Sequence, residues 1–154
     1  MISGMGTPAK WMLIGLLAVV LALLALPAGV RGQDYQFETN GNAITITKYI
    51  GAGGAVTIPA KINGLSVTSI GDDAFYASTN LTRVVIPASI TNIENRAFSY
   101  CPNLTSVIFI GNAPRIDQYV FDADSKATII YIKGTTGWGK TFGGRPTTVG
   151  ILKP

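Results

Sequence analysis

The chain contains 154 residues, carries a net charge of +4, and has 47% hydrophobic residues, one cysteine and no histidine. One domain holds about 100–200 residues, so this length excludes a large multidomain protein. The missing histidine excludes imidazole catalysis and histidine-ligated zinc, and a single cysteine excludes an internal disulfide or a thiolate zinc cage.

Residues 1–32 have the order of a secretory signal peptide. Lys10 precedes an uncharged apolar run at residues 11–28, and a small residue ends the segment. This order predicts cleavage between Gly32 and Gln33. An uncleaved membrane anchor is the alternative, because eighteen apolar residues approach the roughly 20 that span a bilayer.

The charge falls when the signal segment is set aside. Residues 33–154 contain ten basic and eight acidic residues, which leaves +2. No basic patch of the kind that binds nucleic acid is present in this sequence. We therefore expect no nucleic-acid partner and no cofactor, and membrane contact only through the N-terminal segment if it is retained.

Residues 33–55 have the pattern of a β-hairpin. Apolar and polar residues alternate over 35–39 and 43–49, and Asn40-Gly41 lies between the two runs. Asn-Gly between alternating segments is a strong hairpin signal. We predict that this hairpin is an N-terminal cap that covers the edge of the following structure.

Residues 56–133 repeat with a period of 23. The recurring positions are Ile70, Ile93 and Ile116; Phe75, Phe98 and Phe121; Leu81 and Leu104; Val84, Val107 and Ile130; and Ile86, Phe109 and Ile132. A fixed period of this length with a short strand in each unit predicts a mainly β, leucine-rich-repeat solenoid of about three to four coils. The return of each coil is expected to be irregular or a short helical turn.

One unit resembles a known family closely enough to name it. Its motifs are Val84 to Pro87, Ile93, Ala97-Phe98, and Cys101-Pro102-Asn103-Leu104. They resemble the BspA-like leucine-rich repeats of secreted and surface proteins, and the resemblance covers about residues 44–133. It implies a role in adhesion or interaction. Ser78 and Asp124 depart from the family cysteine position.

Residues 134–154 are predicted to form a glycine-rich C-terminal cap or tail, with Trp138 packed over the last coil. Residues 134–141 match the phosphate-loop pattern G-x-x-x-x-G-K-[ST]. A phosphate loop must open a helix and needs an acidic residue downstream for magnesium. The following sequence is rich in glycine and has no acidic residue, so we predict a capping loop and no nucleotide site.

The other chemical groups predict neither catalysis nor a metal site. The carboxylates fall in turns at differing repeat positions, so no shared cleft is expected. The segment 122–125 opens like a calcium loop, but Lys126 and Ala127 replace the expected ligands and glycine. An enzyme, whether nucleotide-using or carboxylate-dependent, is therefore the weakest functional hypothesis.

Three polar or reactive residues have structural interpretations. Cys101 occupies a core-facing position, and pairing between molecules is the alternative. Asn80 and Asn103 lie in Asn-x-Thr sequences that recur at the repeat period. We interpret them first as turn residues, with glycosylation as the alternative.

A partner-binding face is predicted from strand alternation. If Val84 and Ile86 point inward, the residue between them points outward. The predicted outward residues are Thr57, Val85, Ile108 and Tyr131, flanked by Arg83, Ile110 and Lys133. The alternative is that β-branched residues are simply favoured in strands.

The sequence thus predicts an exported, non-catalytic protein that is secreted or displayed at the cell surface and binds an extracellular or surface protein or glycan there. The alternative is a membrane-anchored display protein without a dedicated ligand.

Overall fold

The computed structural model describes residues 34–150. The predicted signal segment 1–32 and the predicted cleavage site between Gly32 and Gln33 lie outside the described residues. Within residues 34–150, no helix is long and apolar enough to cross a membrane.

The described residues form twelve strands, numbered in chain order, in two sheets. The first sheet contains β1 (Tyr35–Asn40), β2 (Ala43–Tyr49), β4 (Lys61–Ile62), β5 (Leu65–Ile70), β7 (Asn92–Ile93) and β9 (Arg115–Ile116). The second sheet contains β3 (Gly54–Thr57), β6 (Leu81–Ile86), β8 (Ser106–Phe109), β10 (Thr128–Ile132), β11 (Thr141–Phe142) and β12 (Arg145–Gly150).

The two middle coils, β6 with β7 and β8 with β9, contribute one strand to each sheet, and successive coils pair in parallel. β6 pairs with β8 through Val84 and Val107, and β7 pairs with β9 through Ile93 and Ile116. Both pairs have the 23-residue offset of the sequence repeat. The molecule is therefore a mainly β solenoid of about four turns, which confirms the predicted fold class.

The predicted phenylalanine position forms the centre of the core. Phe75, Phe98 and Phe121 are each no more than 1% exposed. Their rings stack from coil to coil, with centroids 4.8 Å apart for the first pair and 5.6 Å for the second. Burying one such side chain contributes about 1.5–3 kcal/mol, so stacking coils supplies the stability that a single coil lacks.

The returns between β5 and β6, β7 and β8, and β9 and β10 are tight turns, not helices. Backbone N–H groups in one coil donate to carbonyls of the next coil at equivalent positions. For example, Phe75 donates to Ala97 at 2.7 Å, and Phe98 donates to Val120 at 3.0 Å. These bonds between coils pair the backbone N–H and C=O groups of the turns that have no partner within their own turn, as they would in a helix.

The hairpin of β1 and β2 lies at one edge of the first sheet. Asn40 pairs with Ala43, and Gly41 adopts the left-handed φ of +61° that its turn requires. β2 then pairs in parallel with β5. The ring of Tyr49 stacks on Phe75 at 5.0 Å, so the aromatic stack of the coils continues into the hairpin.

The C-terminal segment contains two strands that the sequence does not predict. β11 and β12 form an antiparallel pair, and β12 extends the second sheet by pairing in parallel with β10. Trp138 is half-buried between Phe109 at 4.9 Å and Phe142 at 5.0 Å. Glycines precede both strands and Pro146 interrupts the second one, so the strand-favouring residues Thr147, Thr148 and Val149 do not stand out in the sequence.

In the last coil, strand β10 lies one residue earlier in the sequence than the 23-residue period predicts. Val107 pairs with Ile129, at an offset of 22, where the sequence repeat predicted Ile130. Leu104 and Val107 are both buried three residues apart, whereas Ala127 and Ile129 are buried two residues apart. The alignment of Ile130 with Val107, and of Ile132 with Phe109, is therefore wrong.

Candidate functional site

The outward face of the second sheet carries a ladder of β-branched side chains. Parallel pairing aligns Val85 with Ile108 and Ile108 with Ile130. Thr57 on β3 and Thr148 on β12 continue the ladder at its two ends. Neighbouring strands lie about 4.8 Å apart, so the three central aliphatic side chains form a continuous apolar stripe.

Arg83 and Ser106 flank this stripe on one side, and Ile110 and Lys133 lie on the other side. Arg83 is exposed and pairs in register with Ser106, and its Nε donates to Ser106 Oγ at 3.3 Å. Ile110, which follows β8, is 42% exposed, and Lys133 lies exposed beyond the end of β10. The structure therefore places Arg83, Val85, Ile108 and Ile110 on or beside one accessible face.

Tyr131 does not belong to this ladder. It pairs with Phe109, a core residue, because of the one-residue shortening in the last coil. Its ring stacks on Trp138 with centroids 5.2 Å apart and planes inclined by 9°. The prediction that Tyr131 faces outward is wrong, and Ile130 occupies that position.

Three carboxylates line one polar hollow beside the first sheet, contrary to the expectation that no cleft would be shared. Glu38, Asp72 and Glu94 surround it together with Asn40 and Thr47. The carboxylate of Glu94 accepts hydrogen bonds from the Asp72 backbone N–H at 3.2 Å and the Asn92 side chain at 3.3 Å. Among residues 34–150, no group of three or more potential ligands is arranged to hold a metal ion.

Cys101 is completely buried, as the core-facing interpretation predicted. Its Sγ donates to the carbonyl of Phe75 at 3.2 Å. Burial, reinforced by the nearby Asp124 carboxylate, raises the pKa of the Cys101 thiol to about 12. Such a thiol is neither accessible nor nucleophilic at neutral pH, so pairing between folded molecules is disfavoured.

Asp124 is the buried carboxylate of the last coil. One oxygen, Oδ1, accepts the backbone N–H of Cys101 at 2.6 Å, and the other oxygen is buried without a partner. Burial raises the pKa of Asp124 to about 7, and the Asp122 charge adds to the rise, against the lowering effects of the Cys101 N–H and Arg145. Asp124 therefore supports the turn and is not placed as a calcium ligand.

The phosphate-loop match adopts a different local structure. Lys140 is followed directly by β11, where a phosphate loop would open a helix. Trp138 Nε1 donates to Thr135 Oγ1 at 2.9 Å, and Thr135 Oγ1 donates to the Ile132 carbonyl at 2.7 Å. The residues that would cradle phosphate instead hold the loop against β10.

Asn80 and Asn103 are exposed in the turns that precede β6 and β8. The Asn103 side chain donates to the Thr79 carbonyl of the preceding coil at 2.8 Å. This bond supports the interpretation of Asn103 as a turn residue.

The structure shows a second exposed surface that the sequence did not predict. Tyr76, Tyr100 and Tyr119 project from the return turns with 45%, 51% and 62% exposure. Tyr100 and Tyr119 also have left-handed backbone angles. The detectable sequence signal is a tyrosine at turn positions where the neighbouring coils carry alanine, serine or a charged residue.

Comparison with known proteins agrees with this architecture. Residues 55–140 match the model of the BspA type leucine rich repeat region, with six copies. No curated protein matches the chain. The solved structures that match it include leucine-rich-repeat proteins from three bacteria.

The leucine-rich-repeat protein of Bacteroides capillosus is 28% identical, with a TM-score of 0.62 and coverage of 80% of this chain and 98% of that one. The T. pallidum leucine-rich-repeat protein is 28% identical with a TM-score of 0.60, covering 66% of this chain. The leucine-rich cell surface protein of Faecalibacterium prausnitzii is 34% identical with a TM-score of 0.58, covering 69%.

This chain spans 52% of the length of the T. pallidum protein and 31% of the F. prausnitzii protein. The repeat match, however, extends over more than half of the present sequence. The chain belongs to the BspA-type leucine-rich-repeat family.

Proposed function

We propose that this protein binds a protein partner, at the cell surface or outside the cell, through the outward face of its second sheet. We name this surface the strand face and define it by Arg83, Val85, Ile108, Ile110 and Ile130. The repeat family suggests a protein-binding or surface role, and the matching F. prausnitzii protein is described as a cell surface protein.

The apolar stripe is the observation that carries this proposal. Val85, Ile108 and Ile130 lie in register on adjacent strands and stay partly exposed. Contiguous exposed apolar side chains rimmed by polar groups are typical of protein interaction sites. Solenoids present such extended surfaces to macromolecular partners. A glycan offers less apolar surface to this stripe, so we favour a protein.

The repeat family and its fold are typically non-catalytic. We propose a non-catalytic role for this chain as well. The polar hollow at Glu38, Asp72 and Glu94 does not alter this proposal, because Glu94 already accepts two hydrogen bonds there.

The test is capture of extracellular proteins and glycans by the full chain, with and without changes on the strand face. We expect Ile108→Ser combined with Ile130→Ser to reduce capture of the bound protein about tenfold or more, because central apolar contacts dominate protein interfaces. Quantitative mass spectrometry of the captured material measures the change.

The matched control is Ile50→Ser, the same replacement at an isoleucine that is 52% exposed away from the strand face. This variant should capture the partner as the parent does. Equal capture by the double variant and the parent, with both folded by circular dichroism, would show that the strand face is not the site. Capture of a glycan alone would also contradict the proposal.

A further inference from the structure

Three tyrosines form an exposed surface on the return turns, apart from the strand face. We name this surface the tyrosine face and define it by Tyr76, Tyr100, Tyr119 and Arg96. The tyrosines are 45–62% exposed, so their rings contribute little to the core.

The tyrosine face has a defined geometry. The rings of Tyr76 and Tyr100 lie 5.5 Å apart with their planes inclined by 56°. The Arg96 guanidinium carbon lies 5.8 Å from the Tyr76 ring centroid, and Arg96 forms an ion pair of 2.8 Å with Asp73. The only cation of these turns is therefore already paired within residues 34–150.

Two of the tyrosines occupy left-handed backbone positions that recur in the three coils. Tyr100 has a φ of +60°, and Ala77 and Ala123 occupy the same left-handed position in the neighbouring coils. Tyr119 has a φ of +57°, at the position that Asp73 and Arg96 hold. Bulky residues are disfavoured in this conformation, and exposed rings recover little of the cost by packing. The turn of the repeat sets this conformation, and a tyrosine there adds steric cost without adding packing to the core.

The charge around the tyrosine face is negative. The turn segments 71–78, 94–101 and 117–124 contain six carboxylates and one cation, Arg96. Asp73 is paired with Arg96 and Asp124 is buried, so the negative charge at the surface comes mainly from the other four. Asp72, Asp117 and Asp122 are exposed. Aromatic faces attract cations through their quadrupole, and nearby carboxylates strengthen that attraction.

We propose that the tyrosine face binds a lysine- or arginine-bearing polypeptide segment of a partner protein. The exposed rings supply cation–π contacts, and the exposed aspartates supply ion pairs. This site is separate from the strand face, and the proposal does not depend on the function assigned to that face.

The probe is a short glycine-serine peptide that carries several arginine residues, compared with the same peptide carrying glutamate. The full chain should bind the arginine peptide, with affinity that falls as salt rises, and should not bind the glutamate peptide. Tyr76→Ser combined with Tyr100→Asn and Tyr119→Asn should weaken binding about tenfold or more. Ile108→Ser, on the strand face, should leave it unchanged. Calorimetric titration measures all of these affinities.

The melting temperature separates a binding role from a structural role. Asparagine fits the left-handed conformation better than tyrosine, so Tyr100→Asn and Tyr119→Asn should melt at the parent temperature or a few degrees above it. A clear fall in melting temperature would assign the tyrosines to folding and overturn the proposal.

Absence of arginine-peptide binding to the parent would also overturn the proposal. A further contrary outcome is self-association of the parent, seen by light scattering, that is lost in the tyrosine variants. That result would make a second copy the occupant. Neither outcome affects capture at the strand face, which Ile108 and Ile130 test.

Discussion

Asp124 occupies the position that Ser78 and Cys101 hold in the two preceding coils. It fits there because its Oδ1 accepts the N–H of Cys101, and because its raised pKa allows the protonated form to persist toward neutral pH. A carboxylate that is neutral when buried avoids the cost of an unpaired charge.

The raised pKa of Asp124 predicts a pH-dependent stability. The unfolded chain loses this proton near pH 4 and the folded chain near pH 7. The folded state therefore binds more protons between these values, and the free energy of unfolding falls as the pH rises through that window. Each unit of difference between the folded and unfolded pKa values corresponds to about 1.4 kcal/mol. The free energy of unfolding should therefore fall by about 1–4 kcal/mol in total across this window. Urea unfolding at several pH values measures it.

Asp124→Asn should flatten this dependence, because asparagine keeps the acceptor for Cys101 and cannot ionise. Asp117→Asn, at an exposed turn position, is the matched control and should keep the parental slope. An unchanged slope in Asp124→Asn would show that the carboxylate does not titrate in this window.

At the scale of one element, the C-terminal segment depends on two adjacent glycines between β11 and β12. Gly143 and Gly144 both have left-handed φ angles, +57° and +76°. A Cβ on Gly143 would lie 2.7 Å from the Phe121 ring, whereas a Cβ on Gly144 would meet no atom within 4 Å. The two positions therefore share backbone strain but differ in packing.

Gly143→Ala should destabilise the protein more than Gly144→Ala. In both variants the left-handed conformation costs about 1 kcal/mol. Gly143→Ala loses about 1–3 kcal/mol more, because Phe121 is fixed in the ring stack and cannot yield. Parallel urea titrations measure the difference. Equal losses in the two variants would mean that the segment moves away from Phe121 without cost.

The elements differ in how far the sequence could predict them. The phenylalanine and isoleucine positions of the coils were predictable because each stacked coil needs the same apolar side chains at the same places, 23 residues apart. The pairing of Val107 with Ile129 was not, because a one-residue deletion leaves similar branched residues on both sides. That deletion also moved Tyr131 off the strand face. β12 was missed because it follows the glycine-rich segment and contains Pro146, although Thr147, Thr148 and Val149 favour a strand.

At the scale of the whole molecule, the two proposed surfaces differ in charge. Within residues 34–150, the strands of the second sheet contain no acidic residue and carry Arg83 and Arg145. The return turns hold most of the carboxylates. The strand face was largely predictable from alternation, because strands fix side-chain direction. The tyrosine face was not, because turn conformation sets which residues project there.

Export is also a property of the whole molecule, and it rests on residues outside the described range. We expect the native protein to have lost residues 1–32 and to be recovered outside the cell or on its surface. Intact mass measurement of protein from the host checks this. A substitution of Gly32 by a bulky residue should leave the segment attached. Full-length protein in the membrane fraction of the unmodified host would instead support the anchored alternative.

The parallel pairing of successive coils has a genetic consequence. Because each coil meets its neighbours through nearly the same side chains and the same backbone bonds, the gene can gain or lose a 23-codon unit without creating a new type of contact. Each added unit would lengthen both surfaces by about 4.8 Å. The length of both surfaces can then change by unequal recombination, while the two terminal segments stay the same.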